Sequence, residues 1–240
     1  MRFSITQHGK PLDKSLYSID IDKKIFASKS NNLVLDFGDL SDWTFNTVSY
    51  CTFRTGNHCD FKTGHTCIFK TSFNCTFDTT DSCTFKTGSS CTFMTQWLCT
   101  FRTNDNCTFS TAGQCTFDTG TNCTFKTVDT CTFKTGSHCK FKTGNDCTFR
   151  TNGLCTFDTE FGCTFTANGL CTFDTGGDCT FKVEEGCTFD TGANCIYLLR
   201  NINNQKFKTY DGISLILDKK DKQKYVLTQE LLNMLKVKNG

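Results

Sequence analysis

The 240-residue chain carries 26 basic and 24 acidic residues, and a net charge of +2 excludes the strongly basic balance of a typical nucleic-acid binder. No stretch has the length and apolarity of a membrane span, and the N-terminus, Met-Arg-Phe-Ser-Ile-Thr-Gln-His, lacks the apolar core of a secretory signal. One or two domains in a reducing intracellular compartment are therefore expected, which bears directly on nineteen cysteines.

Residues 1–34 do not repeat and contain the only proline, Pro11. Leu16, Tyr17, Ile19, Ile21 and Ile25 alternate with polar residues, the pattern of one or two strands. An eight-residue register then begins in degenerate form at Leu35-Asp-Phe37 and Trp43-Thr-Phe-Asn-Thr47, with Leu35 and Trp43 at the place that cysteine takes later. Residues 1–34 are read as an N-terminal cap, because a bare solenoid end exposes core and an unpaired strand edge.

From Cys51 to Tyr197 the chain repeats Cys-Thr-Phe-x-Thr-x-x-x, and all nineteen cysteines fall on one register without a slip. Phenylalanine follows two residues later in eighteen units and Tyr197 takes its place in the nineteenth. Eight residues hold one short strand and a turn, with no helical periodicity. Side chains alternate along a strand, so positions 1, 3 and 5 share a face. In the eighteen Phe units position 5 departs from Thr only as Ala167 and Val183, whereas position 2 departs as Asp60, Ile68 and Lys140 and position 4 is mostly charged. Cys, Phe and Thr are therefore placed inside.

One octad cannot enclose a core, but two make a flattened coil of sixteen residues that rises by one strand spacing, ~4.8 Å. The residues at position 4 support this doubling. Odd units read Arg54, Lys70, Lys86, Arg102, Asp118, Lys134, Arg150, Thr166 and Lys182; even units read Lys62, Asp78, Met94, Ser110, Lys126, Lys142, Asp158, Asp174 and Asp190. The expected fold is an all-β, two-sheet parallel β-solenoid (a β-roll) of about ten coils over residues 35–197, with caps at 1–34 and 198–240. Its core ladder comprises Phe53, Phe61, Phe69 and their successors at the centre. Cys51, Cys59, Cys67, Cys75, Cys83, Cys91, Cys99 and theirs face Thr toward each edge.

The turn positions from Gly56 to Asn194 hold Gly, Asn, Asp, Ser and His, residues that tolerate turn dihedrals. They lack the Gly-Gly-x-Gly-x-Asp pattern of the calcium-binding nonapeptide rolls, so no calcium site is expected. After Cys195, Lys206–Tyr210, Asp211-Gly212 and Ile213–Leu217 read as a hairpin, with Tyr225-Val-Leu as a third strand. Thr228 caps a short helix whose apolar side holds Leu231, Leu232 and Leu235.

Buried cysteine serves here as a small hydrophobe, and free thiols are expected; disulfides within a column are the alternative. The Cys-x₂₋₄-Cys spacing of a zinc site never occurs, and neither a nucleophile–base arrangement nor a phosphate-cradling Gly-x-x-x-x-Gly-Lys appears. No cofactor, metal or catalytic residue is expected. His58, His65 and His138 fall in turns, as do Phe73, Trp97 and Phe161, which could anchor a partner. The odd sheet should display a basic row of Arg54, Lys70, Lys86, Arg102, Lys134, Arg150 and Lys182, able to meet a polyanion or simply to solubilise the face. The Thr rows differ from those of insect antifreeze solenoids, because the second Thr points inward.

The repeat text, as in Cys131-Thr-Phe-Lys-Thr-Gly-Ser-His and Cys147-Thr-Phe-Arg-Thr, resembles the cysteine-rich octapeptide-repeat proteins encoded by giant viruses of protists. The resemblance covers about residues 35–197. It implies a viral protein of the infected cell, in cytoplasm or viral factory, or of the virion, and brings no catalytic residues. The expected role is a non-enzymatic structural or interaction protein, with protein partners or self-association through caps or solenoid ends and no membrane. Nucleic-acid binding by the basic face and a thiol redox or metal store are the alternatives.

Overall fold

The computed structural model describes residues 3–184, 186–199, 206–209, 215–217 and 224–226. As the repeat requires, the chain is all-β, a two-sheet parallel β-solenoid of about 11 turns. It divides into two compact units, residues 1–120 and 121–240, and both follow one plan. Strands Thr84–Lys86 and Thr100–Arg102 pair in parallel in one sheet of the first unit, and Thr76–Asp78 and Thr92–Met94 in the other, each Phe opposite a Phe. In the second unit Thr148–Thr151 pairs with Thr164–Ala167, and Thr156–Thr159 with Thr172–Thr175, in the same register.

Backbone pairing continues through the turns. In the octad at Cys83, Thr84 N–H donates to the Cys67 carbonyl (2.9 Å) and Thr87 N–H to the Arg102 carbonyl (3.1 Å). Of the turn residues, Gly88 N–H donates to Ser72 (2.8 Å) and Ser90 N–H to Asp105 (3.0 Å). A coil thus finds partners for its backbone groups on the coils above and below, in its turns as in its strands. The turn closes by placing its last residue in the left-handed region: Ser82 (φ 58°), Ser90 (φ 59°), Leu98 (φ 61°) and Asn106 (φ 60°) in the first unit, Asp146 (φ 55°), Leu154 (φ 63°) and Leu170 (φ 52°) in the second. Asn and Asp accept this conformation readily and Leu does not.

The side-chain core is a stack of rings. Phe85 lies parallel to Phe69 and Phe101 in its own sheet, at 4.9 Å and 3° to each, and edge-on to Phe77 and Phe93 across the core, at 5.2 Å. Phe157 in the second unit has the same surroundings, at 4.9 and 4.8 Å within its sheet and 5.2 and 5.1 Å across. Offset stacking within a sheet and edge-to-face contact between sheets are both favourable quadrupole geometries, so a single ring packing serves the regular coils. Tyr197 closes the series, stacked on Phe181 at 5.1 Å, and its hydroxyl is hydrogen-bonded with Thr191 Oγ1.

The N-terminal end departs from the expected register. Strands β1 (Ser4–Gln7), β2 (Lys10–Pro11), β3 (Tyr17–Asp20), β4 (Ile25–Ser28) and β5 (Leu33–Asp36) precede the regular coils. β4 and β5 already stack in parallel on Thr44–Asn46 and Thr52–Arg54. β3 and β1 cover them in the antiparallel sense, and β2 pairs with β1. Leu35 lies opposite Phe53, at the phenylalanine position and not the cysteine position. The cause is the first coil's two extra residues. Phe37, fully buried, closes the core from below against Phe3 (4.9 Å), Trp43 (4.8 Å) and Phe45 (4.9 Å), which a Phe on the regular spacing would not do.

At the other end the expected hairpin does not form. Lys206–Thr209 pairs in parallel with Thr188–Thr191, and Leu215–Leu217 with Ile196–Leu199, so the two segments extend opposite sheets. A parallel edge is waiting for each of them, and a hairpin would leave both edges open. Lys224–Val226 then pairs antiparallel with Leu215–Leu217. The helix expected near Leu231 lies outside the described residues.

Phe85→Ala removes a ring that touches four others and should cost about 3–5 kcal/mol in chemical denaturation, against about 1.5 for Phe85→Leu. Equal small losses for both would show that the ring stack does not carry the stability.

Candidate interaction faces and thiol columns

All nineteen cysteines are free and buried. Cys51, Cys67, Cys83, Cys99 and Cys115 form one column of the first unit, and Cys59, Cys75, Cys91 and Cys107 the other. Each thiol sits behind a turn. Cys83 Sγ lies 3.4 Å from the Asp81 carbonyl of its own turn and 3.6 Å from the Gly64 carbonyl one coil earlier, while Cys67 N–H points at Cys83 Sγ from 3.4 Å. Cys147 repeats this with Asn145 (3.4 Å) and Val128 (3.7 Å). Cysteine suits the position because it packs as a small hydrophobe while offering a weak S–H to turn carbonyls.

Within a column, hydrogen bonding between neighbouring thiols raises the pKa of Cys83 and lowers those of Cys67 and Cys99, while burial raises all three. Burial acts on these thiols in one direction, toward the neutral form, whereas reactive cysteines are partly exposed and close to positive charge. Among the described residues no group of three or more His, Cys, Asp or Glu is arranged to hold a metal ion. The inner Thr completes the layer. Thr79 Oγ1 is buried beside the Cys83 thiol, close enough to lower its pKa slightly but without a hydrogen bond of full geometry, and Val183 occupies the equivalent position elsewhere, equally buried.

The outward chemistry lies on the sheet faces. In the first unit Asp36, Arg54, Lys70, Lys86, Arg102 and Asp118 stand opposite one another in unbroken register, four cations bracketed by a carboxylate at each end. Asp36 is 3.4 Å from Arg54. In the second unit the row is shorter: Lys134 pairs with Arg150, and Thr166 separates Arg150 from Lys182.

The other sheet of the second unit carries Lys126, Lys142, Asp158, Asp174 and Asp190, with Lys208 opposite Asp190 in register. Lys142 Nζ donates to Asp158 Oδ2 at 2.8 Å, and that hydrogen bond and charge, with Asp174 beyond, raise the Lys142 pKa. This acidic row is as regular as the basic one. Its signal in the sequence is the sixteen-residue recurrence of Asp in the even units, which stands out only once the two sheets are separated.

Turn side chains stack between coils. The His65 ring meets Tyr50 edge-on at 5.0 Å and the His58 ring meets Phe73 at 5.8 Å, so both histidines pack against aromatic neighbours. Phe73, Trp97 and Phe161 remain exposed. An open groove of about 580 Å³ beside the basic row is lined by Lys70, Phe73, Lys86, Gly88 and Asn104 among others. Its floor is tight, since a Cβ on Gly88 would lie 3.1 Å from the Ser72 carbonyl.

Thr79→Val should stabilise the fold by about 1 kcal/mol, because it removes a buried hydroxyl without a hydrogen bond of full geometry and keeps the shape. A loss of similar size, measured by the same denaturation, would show that the hydroxyl is bonded to the thiol column.

No protein-family model matches the chain, and neither a curated protein sequence nor a solved structure is significantly similar to it.

Proposed function

We propose that this protein is a non-enzymatic structural or interaction element, a stiff scaffold whose surface, and not its interior, meets partners. One observation carries the reading. The inward positions of the repeat are filled by the Cys-Phe-Thr packing, and turns in both units are tied to neighbouring coils by their own backbone hydrogen bonds. Sulfur, the most reactive chemistry in the chain, is committed to packing, and what remains for recognition is two patterned sheet faces and a series of turns. The likeness of the repeat text to proteins of giant viruses fits a building component of a particle.

Stiffness is the property such a role needs, and amide hydrogen exchange reads it locally. The turn amides of Gly88 and Ser90 should exchange as slowly as the strand amides of Phe85 and Phe101, because both sets belong to the coil-to-coil ladder. Fast exchange confined to the turns would leave two soft edges and contradict a rigid scaffold.

A further inference from the structure

We propose that the basic row at Arg54, Lys70, Lys86 and Arg102 docks on the acidic row at Asp158, Asp174 and Asp190 of a second copy of this chain. Self-association of this kind goes beyond a scaffold role, because both the partner and the contact are specified.

Spacing supports it first. Charges in both rows repeat once per coil, at one strand spacing of ~4.8 Å. A second copy of the same solenoid is the partner whose charges keep step over several coils. Charge order supports it as well. Along the stack, the basic row is one carboxylate, four cations and one carboxylate. The acidic row is two cations (Lys126 and Lys142), three carboxylates and a further lysine in register. Aligning Asp36 with Lys142 sets Arg54 against Asp158, Lys70 against Asp174 and Lys86 against Asp190, with Arg102 falling at the register position of Lys208 as the one like-charge step. In the opposite direction Asp118 meets Lys142, Arg102, Lys86 and Lys70 meet the three aspartates, and Arg54 falls at the register position of Lys208.

Reach is sufficient too. Sheets packed face to face lie ~10 Å apart, a gap that long Lys and Arg side chains opposite short Asp side chains can span. The second positions beside the rows are Thr52, Thr84 and Thr100 on one face and Thr156, Thr172 and Thr188 on the other, so along the matched coils no flanking charge opposes the approach. The exceptions are Ile68, apolar and exposed, and Lys140 and Lys206 in the coils at the two ends of the acidic row.

The brackets also favour a protein partner over a phosphate chain. A polyanion lying along the basic row would run into Asp36 and Asp118 at its two ends, whereas the matching row carries Lys142 where one of those carboxylates falls. Each copy carries both rows, so the contact joins the basic row of one copy to the acidic row of another.

Sedimentation velocity of the full chain tests this. The native protein should self-associate at low ionic strength and dissociate as salt is added. Arg54→Glu/Lys70→Glu/Lys86→Glu/Arg102→Glu and Asp158→Lys/Asp174→Lys/Asp190→Lys should each weaken association at least about tenfold, since like charges then face each other. An equimolar mixture of the two variants should associate again, because the acidified row of one now fits the basified row of the other. Circular dichroism of each variant confirms folding, and the mixture keeps the test decisive. A native chain that stays monomeric at low salt, variants that associate as the native chain does, or a mixture that fails to recover would overturn the proposal. Heparin binding through the basic row by a chain that does not self-associate would assign that row to a polyanion instead.

Discussion

Everything in this structure depends on like stacking on like. A coil of sixteen residues places each inward side chain one strand spacing above an identical one, so a residue is retained at an inward position only if it packs well against copies of itself. Phenylalanine does so by offset stacking within a sheet and edge-on contact between sheets. Cysteine does so because its thiol is small, polarizable and able to reach the turn carbonyls. Threonine is the weakest of the three choices, and it is the inward position at which alanine and valine replace it.

Surface positions obey the same translation without the same restraint. Outward side chains also stack on their equivalents, so charges of one sign arrive in rows, and repulsion within a row is relieved at its ends. Asp36 beside Arg54 and Lys142 beside Asp158 are such end contacts. These pairs are exposed and add little to stability, but they define where each row stops. A repeat that is nearly invariant inside thus carries its information on the outside, in which coil bears which charge.

The core was legible from the sequence because substitution is asymmetric. In the eighteen Phe units Asp60, Ile68 and Lys140 are accepted at the second position while the fifth accepts only Ala167 and Val183, which separates outside from inside. The ends were less legible. Leu35-Asp-Phe37 imitates a cysteine-to-phenylalanine spacing, yet Phe37 is drawn under Trp43 and Phe45 to seal the first coil, and the register moves by two residues. Asp211-Gly212 has the composition of a hairpin turn, yet the strands on either side of it take the two open parallel edges. Local pattern cannot show which edge is free. The basic row was visible as a list of residues, whereas its carboxylate brackets and its acidic counterpart emerge only when each sheet is read separately along the stack.

Native and denatured thiol labelling, read by intact mass, tests the stacked core most directly. The Cys51 to Cys195 thiols are buried and unbridged, so a small alkylating reagent should add to none of them in the folded chain and to all nineteen once the chain is unfolded without reductant. Extensive labelling of the folded chain would mean that the columns are not inside. A shortfall in even numbers after unfolding would mean that they are cross-linked, and stability would then rest on disulfides and not on the packing of rings and thiols.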